Sequence, residues 1–210
     1  MTAMTHLDLD KIRSAPVEQR PYPFFVVEGA LKAEVAERVA DDFPKIDRPG
    51  VVSSRDTSPG PAFAGLLEEL EGDEFRALIA EKMGVDLAGL DTKINVRGHA
   101  RRTDGNIHTD TPTKAVTVLM YFNRDDEESD TGLRILNNSR DLDDFVAECP
   151  PKLGNMLVFK VTPDCWHGHK PFEGERKSLQ LNYLSGLERT RKHERVRRFV
   201  RHIGRRLGFD

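Results

Sequence analysis

Cysteine is scarce in this chain: Cys149 and Cys165 are the only two among 210 residues. That excludes a disulfide framework and fits a compartment where thiols stay reduced. Long apolar runs are missing too; no stretch approaches the roughly 20 residues a membrane span needs. The first eleven residues carry Asp8 and Asp10 and no apolar block, so they do not read as a secretory signal. The net charge of -3 names no partner. Internal repeats and low-complexity tracts are absent. These absences together set the expectation of a soluble, cytoplasmic protein with no transmembrane segment.

What is present suits a single domain with a sizeable core, at 38% hydrophobic and 32% charged residues. Residues 1–22 are polar and end in Pro21-Tyr22-Pro23, which reads as an extended lead-in. Phe24 to Val27 reads as a strand. Helical periods cover 31–43, 62–71 and 74–83. Between the first two lies a Pro/Gly/Ser-rich stretch, 45–60. It reads as a loop long enough to act as a lid or binding segment. From about residue 91 the texture turns to strands: 93–97, the nearly continuous apolar run 116–122, 133–136, 156–159 and 178–184. Many short strands suggest a sandwich or barrel. The expected class is α+β with a mainly β core. Residues 1–90 form a supporting region, 91–186 the core and 187–210 a basic helix, all within one structural domain.

The chemistry concentrates in four residues. His108-Thr109-Asp110 is a His-x-Asp pair, and His167 stands fifty-seven residues after Asp110. Two imidazoles and a carboxylate form the facial triad of a mononuclear non-haem iron site. In a strand, residues i and i+2 share a face, so His108 and Asp110 can reach one metal. Such a triad leaves coordination positions open, whereas a closed structural zinc site leaves none. Cys165, close to His167, keeps zinc as the competing metal. Arg176 follows nine residues after His167. Its planar guanidinium suits the far carboxylate of a dicarboxylate cosubstrate that chelates the metal. Lys177 points to the other face of an extended segment, while Ser178 shares the Arg176 face and adds a hydroxyl. Tyr121, on the central strand, is either a site residue or an ordinary core aromatic.

Residues 91–186 resemble the 2-oxoglutarate-Fe(II) dioxygenase domain of the prolyl-4-hydroxylase-like superfamily. The resemblance rests on His108-Thr109-Asp110, the strand Thr117 to Asn123, Thr131-Gly132-Leu133-Arg134-Ile135, and Gly154 to Phe159 ahead of His167 and Arg176. It implies a double-stranded β-helix (jelly-roll) with supporting N-terminal helices. It also implies Fe(II), O2 and 2-oxoglutarate as cofactor and cosubstrates, and hydroxylation coupled to decarboxylation of 2-oxoglutarate to succinate. His108, Asp110 and His167 are then the iron ligands, Arg176 pairs with the distal carboxylate, and Tyr121 assists it. Two positions depart from the pattern. The strand before His108 reads Asn95-Val96-Arg97-Gly98-His99 where the superfamily often carries Tyr, and Thr131-Gly132 stands for the usual Gly-Gly.

A polar small molecule or sugar-type substrate is the expectation, with Arg97, Arg102, Arg134 and Asn182 as candidate contacts. Arg101 belongs to the same basic set. A peptidyl, prolyl-type hydroxylase and a non-catalytic metal-binding jelly-roll sensor or scaffold remain as alternatives. Residues 188–210 carry nine Lys/Arg against Glu188, Glu194 and Asp210. A stripe of Val196, Phe199, Val200, Ile203 and Leu207 suggests a helix docked on its own chain. With only Phe199 and Phe209 as aromatics in this tail, and an acidic remainder, the pattern argues against a nucleic-acid partner. Oligomeric state is not encoded in any of these features.

Overall fold

The computed structural model describes residues 5–124 and 132–185. The basic helix expected over 187–210 lies outside the described residues. In chain order the elements are α1 (Leu9–Ser14), β1 (Phe24–Val27), α2 (Ala33–Asp41), β2 (Val52–Ser53), α3 (Pro61–Glu71), α4 (Asp73–Met83) and β3 (Thr92–Ala100). They continue with β4 (Lys114–Tyr121), β5 (Leu133–Leu136), β6 (Phe145–Cys149), β7 (Met156–Lys160), β8 (His167–Gly168) and β9 (Gly174–Leu184). No helix among the described residues is long and apolar enough to cross a membrane.

Two antiparallel sheets carry the fold. The larger has the order β1-β7-β4-β9-β3-β2 and the smaller β6-β5-β8. The central strand β4 explains the arrangement. Val116, Val118 and Met120 point to one face and join a core with Phe63, Leu66 and Leu70 of α3 and Phe75, Leu78 and Ile79 of α4. Tyr121 points to the other face and packs with Ile135, Cys149, Leu157, Phe159 and Cys165 against the smaller sheet. A strand covered on both faces cannot alternate apolar with polar, hence the continuous apolar run read from the sequence. The α3 entry is fixed by Asp42, whose Oδ2 accepts from the Ala62 amide at 2.6 Å, and α4 ends on Gly84 with φ +58°.

Three expectations change. The lead-in contains α1, capped by the Asp8 side chain accepting from the Lys11 amide. With Ile12 as its only buried residue, so short a helix shows no period. The stretch 45–60 is not loop throughout, because Val52 and Ser53 pair with Val96 and Asn95 and a 3-10 turn covers Ser54–Asp56. β6 and β8 were also unread. β6 is an edge strand with exposed Phe145 and Val146, and β8 is only two residues long.

Candidate active site

His108 and His167 are tied by their backbones. Each amide donates to the other's carbonyl at 3.0 Å, closing an isolated antiparallel bridge. His108 is therefore held by a single bridge residue rather than by a regular strand, and Asp110 follows in the adjoining loop. The side-chain ligand atoms of His108, Asp110 and His167 nevertheless lie within 4.8 Å of one another.

The protonation pattern suits a cation. His108 Nδ1 lies 2.8 Å from the Asn106 carbonyl and His167 Nδ1 lies 2.7 Å from the Cys165 carbonyl. A carbonyl only accepts, so each Nδ1 carries the proton and each Nε2 keeps its lone pair. Burial, joined by the neighbouring His108, pushes His167 down to about 4, so it is neutral at pH 7. For Asp110 burial alone would raise the pKa, but Lys114, Thr117 and His167 outweigh it and hold the carboxyl below its ordinary range. Lys114 Nζ donates to Oδ1 at 2.7 Å and Thr117 Oγ1 to Oδ2 at 2.5 Å. Two imidazoles that present Nε2 and an ionised carboxylate, their ligand atoms gathered within 4.8 Å, are a donor set that fits ferrous iron.

A cavity of about 160 Å³ opens beside this cluster. Its floor is the face of the large sheet that looks away from the helices. Strand register sets the floor out in rows. Arg97 on β3, Ser178 on β9 and Tyr121 on β4 form one row. Asn95, Gln180 and Leu119 form the next; in the third, Lys93, Asn182 and Thr117, only Thr117 lines the cavity. Arg176 extends the β9 line beyond the first row. It is 3% exposed, its Nη2 donates to Tyr121 Oη at 2.7 Å, and its guanidinium lies 5.2 Å from the Tyr121 ring centre. The far end of the cavity is thus cationic, with the Ser178 hydroxyl beside it, while the third row reaches Asp110 through Thr117.

Residues 95–184 match the sequence profile of the 2OG-Fe(II) oxygenase superfamily. The chain carries a 2OG-Fe(II) oxygenase domain. With it come the class of 2-oxoglutarate-dependent dioxygenase and the use of Fe(II), 2-oxoglutarate and O2. Among curated proteins no sequence match is found. Three solved structures are similar in fold. A prolyl-4-hydroxylase from Pseudomonas putida is 18% identical with a TM-score of 0.56, the match covering 84% of this chain and 97% of that one. A prolyl hydroxylase from Trichoplax adhaerens, solved with a hypoxia-inducible-factor peptide fragment, is 14% identical with a TM-score of 0.52, covering 88% and 90%. The viral collagen prolyl hydroxylase of Paramecium bursaria Chlorella virus-1, solved with 2OG, is 12% identical with a TM-score of 0.50, covering 77% and 96%. At these identities the likeness is one of fold: antiparallel, sheet-rich and of the jelly-roll type.

The oxygenase cavity gathers some of the residues singled out from the sequence and leaves others outside. His108, His167, Tyr121, Arg176, Ser178 and Arg97 line it. Arg102 is exposed on the turn after β3, outside the lining. Arg134 is engaged by Glu148 and Asp143, each at 2.7 Å, and stacks on Phe145, so its donors brace the small sheet. Asn182 lies behind Thr117, 3.2 Å from its hydroxyl. Unread in the sequence were Asn95, Gln180, Thr117 and His169. The first three alternate with core residues on strands, a signal that becomes specific only once register is known. His169 packs beneath Gly105, where a Cβ would lie 2.2 Å from its ring. Burial, then the neighbouring Arg176, pushes it down to about 4.

Proposed function

We propose that the oxygenase hydroxylates a polar small-molecule or sugar-type substrate and couples this to decarboxylation of 2-oxoglutarate to succinate. The observation that carries the reading is the pairing of one cavity's two ends: a His-Asp-His cluster with ligand atoms within 4.8 Å, and a buried Arg176 fixed on Tyr121. His108 Nε2, Asp110 and His167 Nε2 hold the iron. Bound there, ferrous iron supplies the O2 activation that links loss of CO2 from 2-oxoglutarate to oxidation of the substrate. Arg176 takes the distal carboxylate of 2-oxoglutarate with its planar fork, and Tyr121 and Ser178 flank that carboxylate.

The chain's residues do three further things. Carbonyls of Asn106 and Cys165 hold the proton of each neutral ring on Nδ1, which leaves Nε2 as the ligand atom. Lys114 and Thr117 hold the Asp110 carboxylate in one orientation. Phe159 packs on the His167 ring, with centres 4.8 Å apart, and keeps that side of the cluster dry. Polar side chains on the cavity floor, Arg97, Asn95 and Gln180, support a polar rather than an apolar substrate.

The test is succinate release. Protein loaded anaerobically with Fe(II), given 2-oxoglutarate and then O2, should release succinate above its uncoupled background with one or more fractions of small polar metabolites. Stimulation by proline-containing peptides alone would instead support a prolyl-type hydroxylase. Absence of 2-oxoglutarate binding would support the sensor or scaffold reading.

A further inference from the structure

Two side chains on the cavity floor are not used by the iron and 2-oxoglutarate assignments. Asn95 and Gln180 are partners in the β3–β9 register and line the cavity together. Both are half-buried. Among the described residues neither amide group has a hydrogen-bond partner, although the polar residues around them do. Arg97 is paired with Asp104, Thr117 with Asp110, and Tyr121 with Arg176. Partly buried amides are costly to leave unpaired once a ligand displaces their water, so a ligand that satisfies them is selected over one that does not.

The charges nearby narrow the ligand. Arg97 is matched by the Asp104 carboxylate, which also accepts from the Arg101 amide. Arg176 is the cosubstrate's anchor, on the reading proposed above. Among the described residues that line the cavity, Arg97 and Arg176 are the only Lys or Arg side chains, so no further fixed cation is left there to attract an anion. Each carboxamide offers a donor and an acceptor in one plane. Gln180 stands between Ser178 and Asn182 along β9, and Leu119 flanks it on β4, so the pair lies beside the line from Arg176 to the metal cluster.

We propose that Asn95 and Gln180 are the specificity-determining residues, reading a neutral group that presents a hydrogen-bond donor and acceptor side by side. That chemistry is shared by carboxamides and by vicinal hydroxyls of polyols. The proposal rests on the oxygenase reading only in assigning Arg176 to 2-oxoglutarate. The full chain, loaded with redox-inert Zn(II) and 2-oxoglutarate, is tested by saturation-transfer NMR against two matched pairs. These are N-acetylprolinamide with N-acetylproline, and glucitol with gluconate. At least one neutral probe should bind more tightly than its carboxylate counterpart, and which one does so separates the carboxamide source from the polyol source. That binding should weaken about tenfold or more in Asn95→Leu and in Gln180→Leu, the loss of roughly one to two hydrogen bonds. The isosteric Asn95→Asp and Gln180→Glu should weaken it as well, guarding against a folding defect in the leucine variants. 2-Oxoglutarate affinity should stay within about twofold throughout. If neither neutral probe is preferred, or if binding persists in the variants, the amide-pair proposal is overturned. Failure of the wild type to bind 2-oxoglutarate counts against the oxygenase assignment of Arg176 instead, and is read separately.

Discussion

Replacing Arg176 by alanine is the sharpest perturbation of the cavity. The side chain is 3% exposed and donates to Tyr121 Oη at 2.7 Å, so the guanidinium is already oriented before any carboxylate arrives. A preorganised fork loses little conformational freedom on binding, and truncating one partner of such a pair commonly costs about 2–5 kcal/mol. The dissociation constant for 2-oxoglutarate should rise by a factor on the order of 30 to several thousand. Tyr121→Phe removes only one neutral hydrogen bond and keeps the ring under the guanidinium. Its effect should be about 0.5–1.5 kcal/mol, roughly 2- to 12-fold. Arg176→Lys should fall between the two, because a point charge replaces a planar fork. The assay is anaerobic titration of 2-oxoglutarate into the Fe(II)-loaded protein, followed by its visible charge-transfer absorption. Iron affinity, measured separately, should be unchanged in all three. An Arg176→Ala constant within threefold of wild type would refute the reasoning and shift the anchor to Arg97, the other cation lining the cavity.

The other expectations concern metal, packing and thiols. His108→Ala, Asp110→Ala and His167→Ala should each abolish stoichiometric Fe(II) binding, while His169→Ala should retain it; an intact iron titration for His167→Ala would remove the metal assignment. Thr117→Val should weaken divalent-metal binding by about 10- to 100-fold by freeing one oxygen of Asp110, and an unchanged affinity would deny Thr117 that role. Gly132→Ala would set a Cβ 2.0 Å from the Cys149 carbonyl oxygen. Urea denaturation should therefore show a loss of about 1–3 kcal/mol or more. Burial pushes the Cys149 thiol up to about 12, and Cys165 is raised for the same reason. Neither should react with a thiol reagent at pH 8 until denaturant is added, and rapid labelling of the native protein would contradict their burial.

The candidate metal cluster was legible in the sequence because it depends on residue type and on short spacing. His108-Thr109-Asp110, His167 and Arg176 could be picked out without coordinates. The helices at 61–71 and 73–83 and the run 116–122 could also be read, since burial on one or two faces writes a local pattern. What remained hidden depends on pairing across distance. Asn95 and Gln180 look like any polar residues on alternating strands until the β3–β9 register sets them opposite each other. Arg134 reads as an available cation until Glu148 and Asp143 fold back onto it. β8 has no signal of its own, because two residues become a strand only when β5 lies alongside. A residue's chemistry belongs to its side chain, but its neighbours across a sheet are chosen by the packing of both faces, and that choice is made by the whole fold.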